Sequence, residues 1–456
     1  MADRTVFLFP GLGAYSTGVL RQAYREYPQI AATFAEIDTV AAQHGVRSVS
    51  DALFGPEELT IKQLLARPAE LLQLAIFGTS VATHRILTDA GVEPYLLLGH
   101  SFGEMAALVC ADAFSLADGV RLVCARTVAL RDWEGKGAMA AVGANETVVK
   151  HLIGLVEEPD LVIGCANAPQ QNVIAGPQGA ITRAGEAADA LGFFFARLNL
   201  PYASHHPSMQ PAVTEFVRLM AEIRQQPLRR PVFSPIHGRR YTDTDDLRQA
   251  LADCLILPVR FTDAVRSLHA QGCVNFVEVG ALNALTRCVQ LTVPSTRSLA
   301  PLLVPAEEVS QLRAVADICV HGVAAPAPAR PVASSPTRAE AYVVAPLPDP
   351  EPIETPAAIP LARNGSTATA PASDDVLERL RELYATALEY PVEVLTPDAA
   401  LEAELGVDSL KQTALLGKVI TEFGLGDEPG ELRVWEFRTL GHIADHIAAA
   451  RQGALR

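Results

Sequence analysis

Through the first two thirds of the chain, short apolar runs alternate with stretches whose apolar positions recur at helical spacing. The runs TVFLFPG (5–11), YLLLGH (95–100) and VNFVEVG (274–280) each end at a glycine or turn and lead into a helix-like segment. Short apolar runs bounded by turns read as buried strands, and their alternation with helices predicts an α/β sheet. Within this region, residues 137–200 carry AMAAVG, a helix, LVIGCANAP, NVIAG, a second helix and FFFARLNL. That order predicts a βαββαβ insert, a small ferredoxin-like subdomain. From Ser373 to about Ala450, four segments of helical periodicity predict a small helical bundle, with caps at Ser373 and Asp374. There is no internal repeat.

The two patterned regions are separated by composition. Residues 324–372 hold 11 prolines among Ala, Ser and Thr, a mixture with little apolar surface to bury and a preference for extended conformations. It reads as a flexible linker with an end-to-end distance of roughly 35–42 Å, although AYVVAPLP (341–348) has the apolar content to dock back on the preceding domain. The expected organisation is a domain over 1–323, a linker over 324–372 and a module over 373–456.

Charge narrows the function classes. The formal net charge is −15, so nucleic acid is an unsuitable partner. Residues 373–456 hold 16 acidic and 8 basic side chains, over half of the excess in the last fifth of the chain. The seven cysteines are scattered among apolar neighbours without zinc-ligand spacing, so free buried thiols in a reducing cytoplasm are expected, with no metal. The N-terminal MADRTVFLFPG lacks the pattern of a signal peptide, and no apolar run reaches membrane-spanning length. The expected location is the cytoplasm, with no membrane partner.

Ser101 lies in LLLGHSFGEMAAL, a strand-like run, a Gly-x-Ser-x-Gly turn and a helix-like stretch. Glycines at 99 and 103 permit a sharp turn that exposes the serine, the nucleophile-elbow arrangement. The backbone N–H of Phe102, at a helix N-terminus, is a candidate donor to an oxyanion. A serine needs a base, and His205 and His206 in LPYASHHPSMQP are the candidates. Arg126 has Leu122, Val123, Ala129 and Leu130 at i±3 and i±4. An arginine on an apolar face is either ion-paired in the core or aimed into a pocket, where it suits a carboxylate.

The motifs FPGLGAY, GHSFGE, Arg126, GAMAAVG, CANAPQQNVIAG, SHHPSMQP, PVRF and FVEVGALNALT follow one another in an order that resembles malonyl-CoA:acyl-carrier-protein transacylases and polyketide synthase acyltransferase domains. The resemblance covers about residues 4–320. It implies an α/β acyltransferase domain with a hydrolase-like core and a ferredoxin-like insert. It also implies that Ser101 is acylated, that His205 is the base and that Arg126 holds a substrate carboxylate. The oxyanion donors would be the backbone of Leu12 and Phe102, and the carbonyl that orients His205 would be that of Cys254. At both Leu12 and Cys254 the family usually has glutamine. Gln73, Asn167, Tyr202 and Ser204 match pocket positions. Tyr202–His205 reads YASH, which accompanies methylmalonyl selection in related domains, whereas a bulky Phe102 beside the serine favours a smaller acyl group.

Ser409, in LGVDSLKQTALL, sits before a helix-like stretch, where a serine is most often an N-cap. Its acidic helical surroundings over about 374–450 resemble an acyl carrier protein, an all-α four-helix domain. That resemblance implies 4′-phosphopantetheine on Ser409, added by a phosphopantetheinyl transferase, and a downstream ketosynthase or polyketide synthase as partner. The expected activity is transfer of a malonyl or methylmalonyl group from CoA through Ser101 to a carrier thiol, the chain's own carrier in the first instance. The rivals are a serine hydrolase or thioesterase, and a non-catalytic docking protein with a decayed acyltransferase. The departures at Leu12 and Cys254 keep the last reading open.

Overall fold

The computed structural model describes residues 3–322 except 57, 58, 60 and 199. Beyond them it describes the helix Ser373–Leu388 and scattered positions between 397 and 447. The chain divides into two units, Met1–Pro348 and Asp349–Arg456. In the second, the side chains of Val376, Leu380 and Tyr384 are buried. They stand four residues apart on one helix face. The rest of the expected four-helix carrier is described only at those scattered positions, and Ser409 and the segment 324–372 lie outside the described residues.

The first unit is built on two sheets. Ten strands serve them: β1 (Arg4–Phe9), β2 (Leu96–Gly99), β3 (Ala138–Gly143), β4 (Val162–Ala168), β5 (Gln171–Gly176), β6 (Phe194–Arg197), β7 (Val232–Ser234), β8 (Arg239–Arg240), β9 (Cys273–Glu278) and β10 (Arg297–Leu299). The larger sheet has the order β10-β9-β1-β2-β7-β8. Its pairs are parallel except β7–β8. β1 is buried on both faces. Phe7 and Phe9 enter one core with the central helix Ala69–Asp89, while Val6 and Leu8 enter a second core with Phe261, Val265 and Leu268. A strand covered on both sides has no polar face, which is why its sequence reads as a continuous apolar run.

The smaller sheet is antiparallel in the order β4-β5-β3-β6, with helices Glu146–Val156 and Gln178–Ala190 in the crossovers. This is the strand order of a ferredoxin-like unit. The final strand is Phe194–Arg197, and Leu198 just beyond it still donates its N–H to the Met139 carbonyl of β3 at 2.9 Å. Alternate side chains of β3 face different cores: Met139 and Ala141 join the main domain, and Ala138, Ala140 and Val142 pack on the insert's own helices. The insert is therefore welded to the main domain through one face of its sheet.

Ile174 of β5 is fully buried between the insert helices. Ile174→Ala should cost about 2–5 kcal/mol of stability, read as a lower urea midpoint with an unchanged slope. A loss below about 0.5 kcal/mol would show that the insert core collapses around the cavity.

Candidate active site

β1 and β2 are parallel neighbours, so the loops leaving their C-terminal ends lie side by side. After β2 the chain turns through His100 and Ser101 into the helix Gly103–Cys110. Ser101 has φ +53, the left-handed region, whose cost of about 1–3 kcal/mol must be borne by the surrounding structure. Both flanking glycines are required by close approach. A β-carbon on Gly103 would stand 2.1 Å from the carbonyl oxygen of Phe9, and one on Gly99 would stand 2.4 Å from Cα of Glu104. On the neighbouring loop, a β-carbon on Gly11 would lie 3.0 Å from the His100 carbonyl oxygen and 3.8 Å from Cβ of Ser101. Leu12 is thereby carried beside the serine. Among the described residues, the backbone N–H groups of Leu12 and Phe102 donate no hydrogen bond.

Ser101 Oγ lies 2.8 Å from His205 Nε2. On the far side of the ring, His205 Nδ1 lies 3.0 Å from the carbonyl oxygen of Leu257. A carbonyl only accepts, so Nδ1 carries the hydrogen and Nε2 presents its lone pair to the serine hydroxyl. The adjacent histidine is turned away. His206 Nε2 donates to the Asp160 carbonyl at 2.7 Å, and its Nδ1 accepts from Ser208 Oγ at 2.7 Å. The two histidines therefore hold opposite tautomers, and only His205 meets Ser101. Its orienting carbonyl differs from the one implied by resemblance. Leu257, three residues beyond Cys254, supplies it, because the chain turns through Ile256 and Leu257 onto the Asp253 carbonyl before reaching the histidine.

His205 is buried, with φ +59. Burial, then nearby His100 and the Arg126 charge, lower its pKa to about 3, while the Leu257 carbonyl opposes them. His100 Nε2 donates to Asn167 Oδ1 at 2.8 Å, and burial lowers the pKa of His100 as well. Asn167, on β4, thus links the insert to the elbow.

Arg126 lies buried on the helix Leu116–Leu130. Its Nη1 donates to Gln73 Oε1 at 3.2 Å, and its guanidinium carbon lies 5.5 Å from the Phe102 ring centroid. Among the described residues it forms no ion pair. A buried cation with only a neutral amide partner is costly and is suited to an incoming anion. A small cavity is lined by Ser101, Phe102, Met105, Arg126, Leu251 and Cys254. Gln73 is one hydrogen bond behind that lining. Tyr202 and Ser204 are buried in the loop before His205 and do not belong to it. Among the described residues no group of three or more His, Cys, Asp or Glu is disposed to hold a metal ion, and no helix is long and apolar enough to cross a membrane.

Residues 6–324 match the family described as the acyl transferase domain, and residues 378–447 match the phosphopantetheine attachment site. The chain belongs to the acyl transferase domain family. Its acyltransferase domain is similar to the spectinabilin polyketide synthase system protein NorB of Streptomyces orinoci. The two are 34% identical over 297 residues, covering 62% of this chain and 13% of NorB. This chain spans less than a fifth of the length of the curated relatives it matches. The acyltransferase domain from module 8 of the salinomycin polyketide synthase is 30% identical with a TM-score of 0.63, covering 71% of this chain and 76% of that one. The malonyl CoA-acyl carrier protein transacylase of Coxiella burnetii is 26% identical with a TM-score of 0.62, covering 69% of this chain and 98% of that one. The acyltransferase domain is thus homologous to both polyketide synthase acyltransferases and the malonyl transacylases.

Three contributors to this acyltransferase site escape sequence reasoning. Leu257 acts through its backbone, which no side-chain pattern reports, although its place before the PVRF run was a usable marker. The His100–Asn167 bond joins residues 67 apart. Glu104, directly after the elbow, is fully buried. Because the His205 pKa is lowered to about 3, its ring should stay neutral from pH 8 down to pH 5. Histidine 15N shifts should show no titration of His205 in that range. A midpoint near 6.5 would show that water reaches the ring.

Proposed function

We propose that this chain transfers a malonyl-type acyl group from CoA, through an ester on Ser101, to the phosphopantetheine thiol of a carrier, its own carrier domain in the first instance. The observation that supports this reading is a serine–histidine pair beside a buried arginine that has no carboxylate partner among the described residues.

The thioester's free carboxylate docks on Arg126. His205 Nε2 takes the Ser101 Oγ proton as Oγ bonds to the thioester carbonyl carbon. The N–H groups of Leu12 and Phe102 receive the oxyanion, so leucine in place of the usual glutamine at 12 leaves the donor intact. On collapse the carbon–sulfur bond breaks, and the departing CoA sulfur takes the proton from His205. His205 then serves as base for the incoming thiol, and Ser101 leaves with that proton. When attached, the phosphopantetheine arm supplies that accepting thiol. Ser409 is the attachment point in this reading, being the only serine between residues 378 and 447. A phosphopantetheinyl transferase and a downstream synthase with a ketosynthase are the partners that follow.

Phe102 lines the cavity whereas Tyr202 and Ser204 do not, which favours malonyl over methylmalonyl. A competition between malonyl-, methylmalonyl- and acetyl-CoA, read by intact mass, tests this. Malonyl should prevail on the wild type. Arg126→Ala should lose malonyl loading by about 10- to 100-fold, the worth of a charge-assisted hydrogen bond, and acetyl loading by under about threefold. Equal losses would make Arg126 structural, and methylmalonyl preference would overturn the role given to Phe102.

Loading within one chain is tested by mixing Ser101→Ala chains with Ser409→Ala chains. Tethering raises the effective carrier concentration towards about millimolar, so the micromolar mixture should load slowly and in proportion to concentration. Loading at the wild-type rate would establish transfer between chains.

A further inference from the structure

Glu104 is fully buried at the first turn of the nucleophile helix, and its backbone N–H donates to the Ser101 carbonyl at 3.0 Å. Its side chain faces three donors. Cys254 Sγ donates to Oε2 at 2.8 Å and Tyr241 OH donates to Oε1 at 3.3 Å. Ser234, at the end of β7, makes the third hydrogen bond. A carboxyl group sealed from water is an expensive way to hold three elements together, since apolar residues of similar volume would pack there at lower cost.

What distinguishes the cluster is where its connections lead. Cys254 caps the helix Leu247–Asp253, and the turn that follows is closed by hydrogen bonds from Ile256 and Leu257 to the Asp253 carbonyl. Leu257 then offers its own carbonyl to His205. A closed circuit results: Ser101, Glu104, Cys254, Leu257, His205 and back to Ser101. Its three noncovalent side-chain links measure 2.8, 3.0 and 2.8 Å. Both His205 and Ser101 have positive φ, so neither holds its place by local backbone preference, and the circuit supplies the restraint.

We infer that Glu104 is a positioning residue, which, through the Cys254 thiol, sets the distance between the nucleophile elbow and the carbonyl that orients the base. The inference rests on the Ser101–His205 reading above. The Glu104–Cys254 bond holds the Leu257 turn against the elbow. Without it the turn relaxes outward, the imidazole follows its carbonyl, and the Ser101–His205 bond lengthens. Misplacement by about 1 Å can cost on the order of 100-fold in rate.

The test uses the full-length protein and a fluorophosphonate probe, which reports Ser101–His205 reactivity without needing Arg126. Cys254→Ala should slow Ser101 labelling about tenfold, with a melting temperature within about 3 °C of wild type. Cys254→Ser restores a donor at the same place and should recover labelling to within about threefold of wild type. In malonyl transfer, Cys254→Ala should lower kcat more than it raises KM. Glu104→Gln, which turns an amide N–H towards one of the donors, should match Cys254→Ala, and if it fails to fold the cysteine pair decides alone. Wild-type labelling rates in Cys254→Ala, or no recovery in Cys254→Ser, would overturn the inference and leave the dyad standing. Absence of labelling in the wild type would instead overturn the dyad.

Discussion

The packing of the nucleophile helix against β1 leaves no room for a side chain at Gly103, whose added β-carbon would sit 2.1 Å from the Phe9 carbonyl oxygen. That contact sets the height of the elbow above the sheet. From it follow the left-handed Ser101, the nearness of the Leu12 loop and the two free N–H groups beside the serine. A larger residue at 103 would push the helix off the strand and shift Ser101 away from the Leu12 loop.

Electrostatics around His205 are set by what the site omits. A carbonyl, not a carboxylate, accepts the hydrogen bond from Nδ1, and among the described residues no carboxylate pairs with the ring. Burial and the Arg126 charge further disfavour protonation. In the proposed transfer His205 would act from its neutral form, at the expense of a less stabilised imidazolium. An anion arriving at Arg126 would offset that charge and ease protonation of His205.

The insert contributes through its shared strands. β3 feeds one core with Met139 and Ala141 and another with its alternate residues, and β4 carries Asn167 to His100. Next to that strand, His206 holds the Asp160 carbonyl, so the doublet His205–His206 divides its work between the site and the insert. Residue type alone does not separate the two histidines; the resemblance singles out His205, and in the structure the two have opposite hydrogen-bond partners.

Much of the fold and part of the site were legible because they arise from local pattern. The apolar runs at 5–11, 95–100 and 274–280 overlap strands of the main sheet, and the order of runs in 137–200 corresponds to the observed ferredoxin-like sheet. The glycines at 99 and 103 mark the turn at Ser101, and the apolar helix face marks Arg126 as a buried side chain. Strand periodicity and turn chemistry are written over a few residues, so a sequence states them directly. Only the tertiary structure shows the long-range contacts: His205 on Ser101, the carbonyl of Leu257 rather than of Cys254 on His205, Gln73 on Arg126, and Cys254 on Glu104. Each of these is a contact between residues 50 or more apart, or is made by a backbone atom that every residue type possesses. Such contacts come into being only when the chain closes on itself.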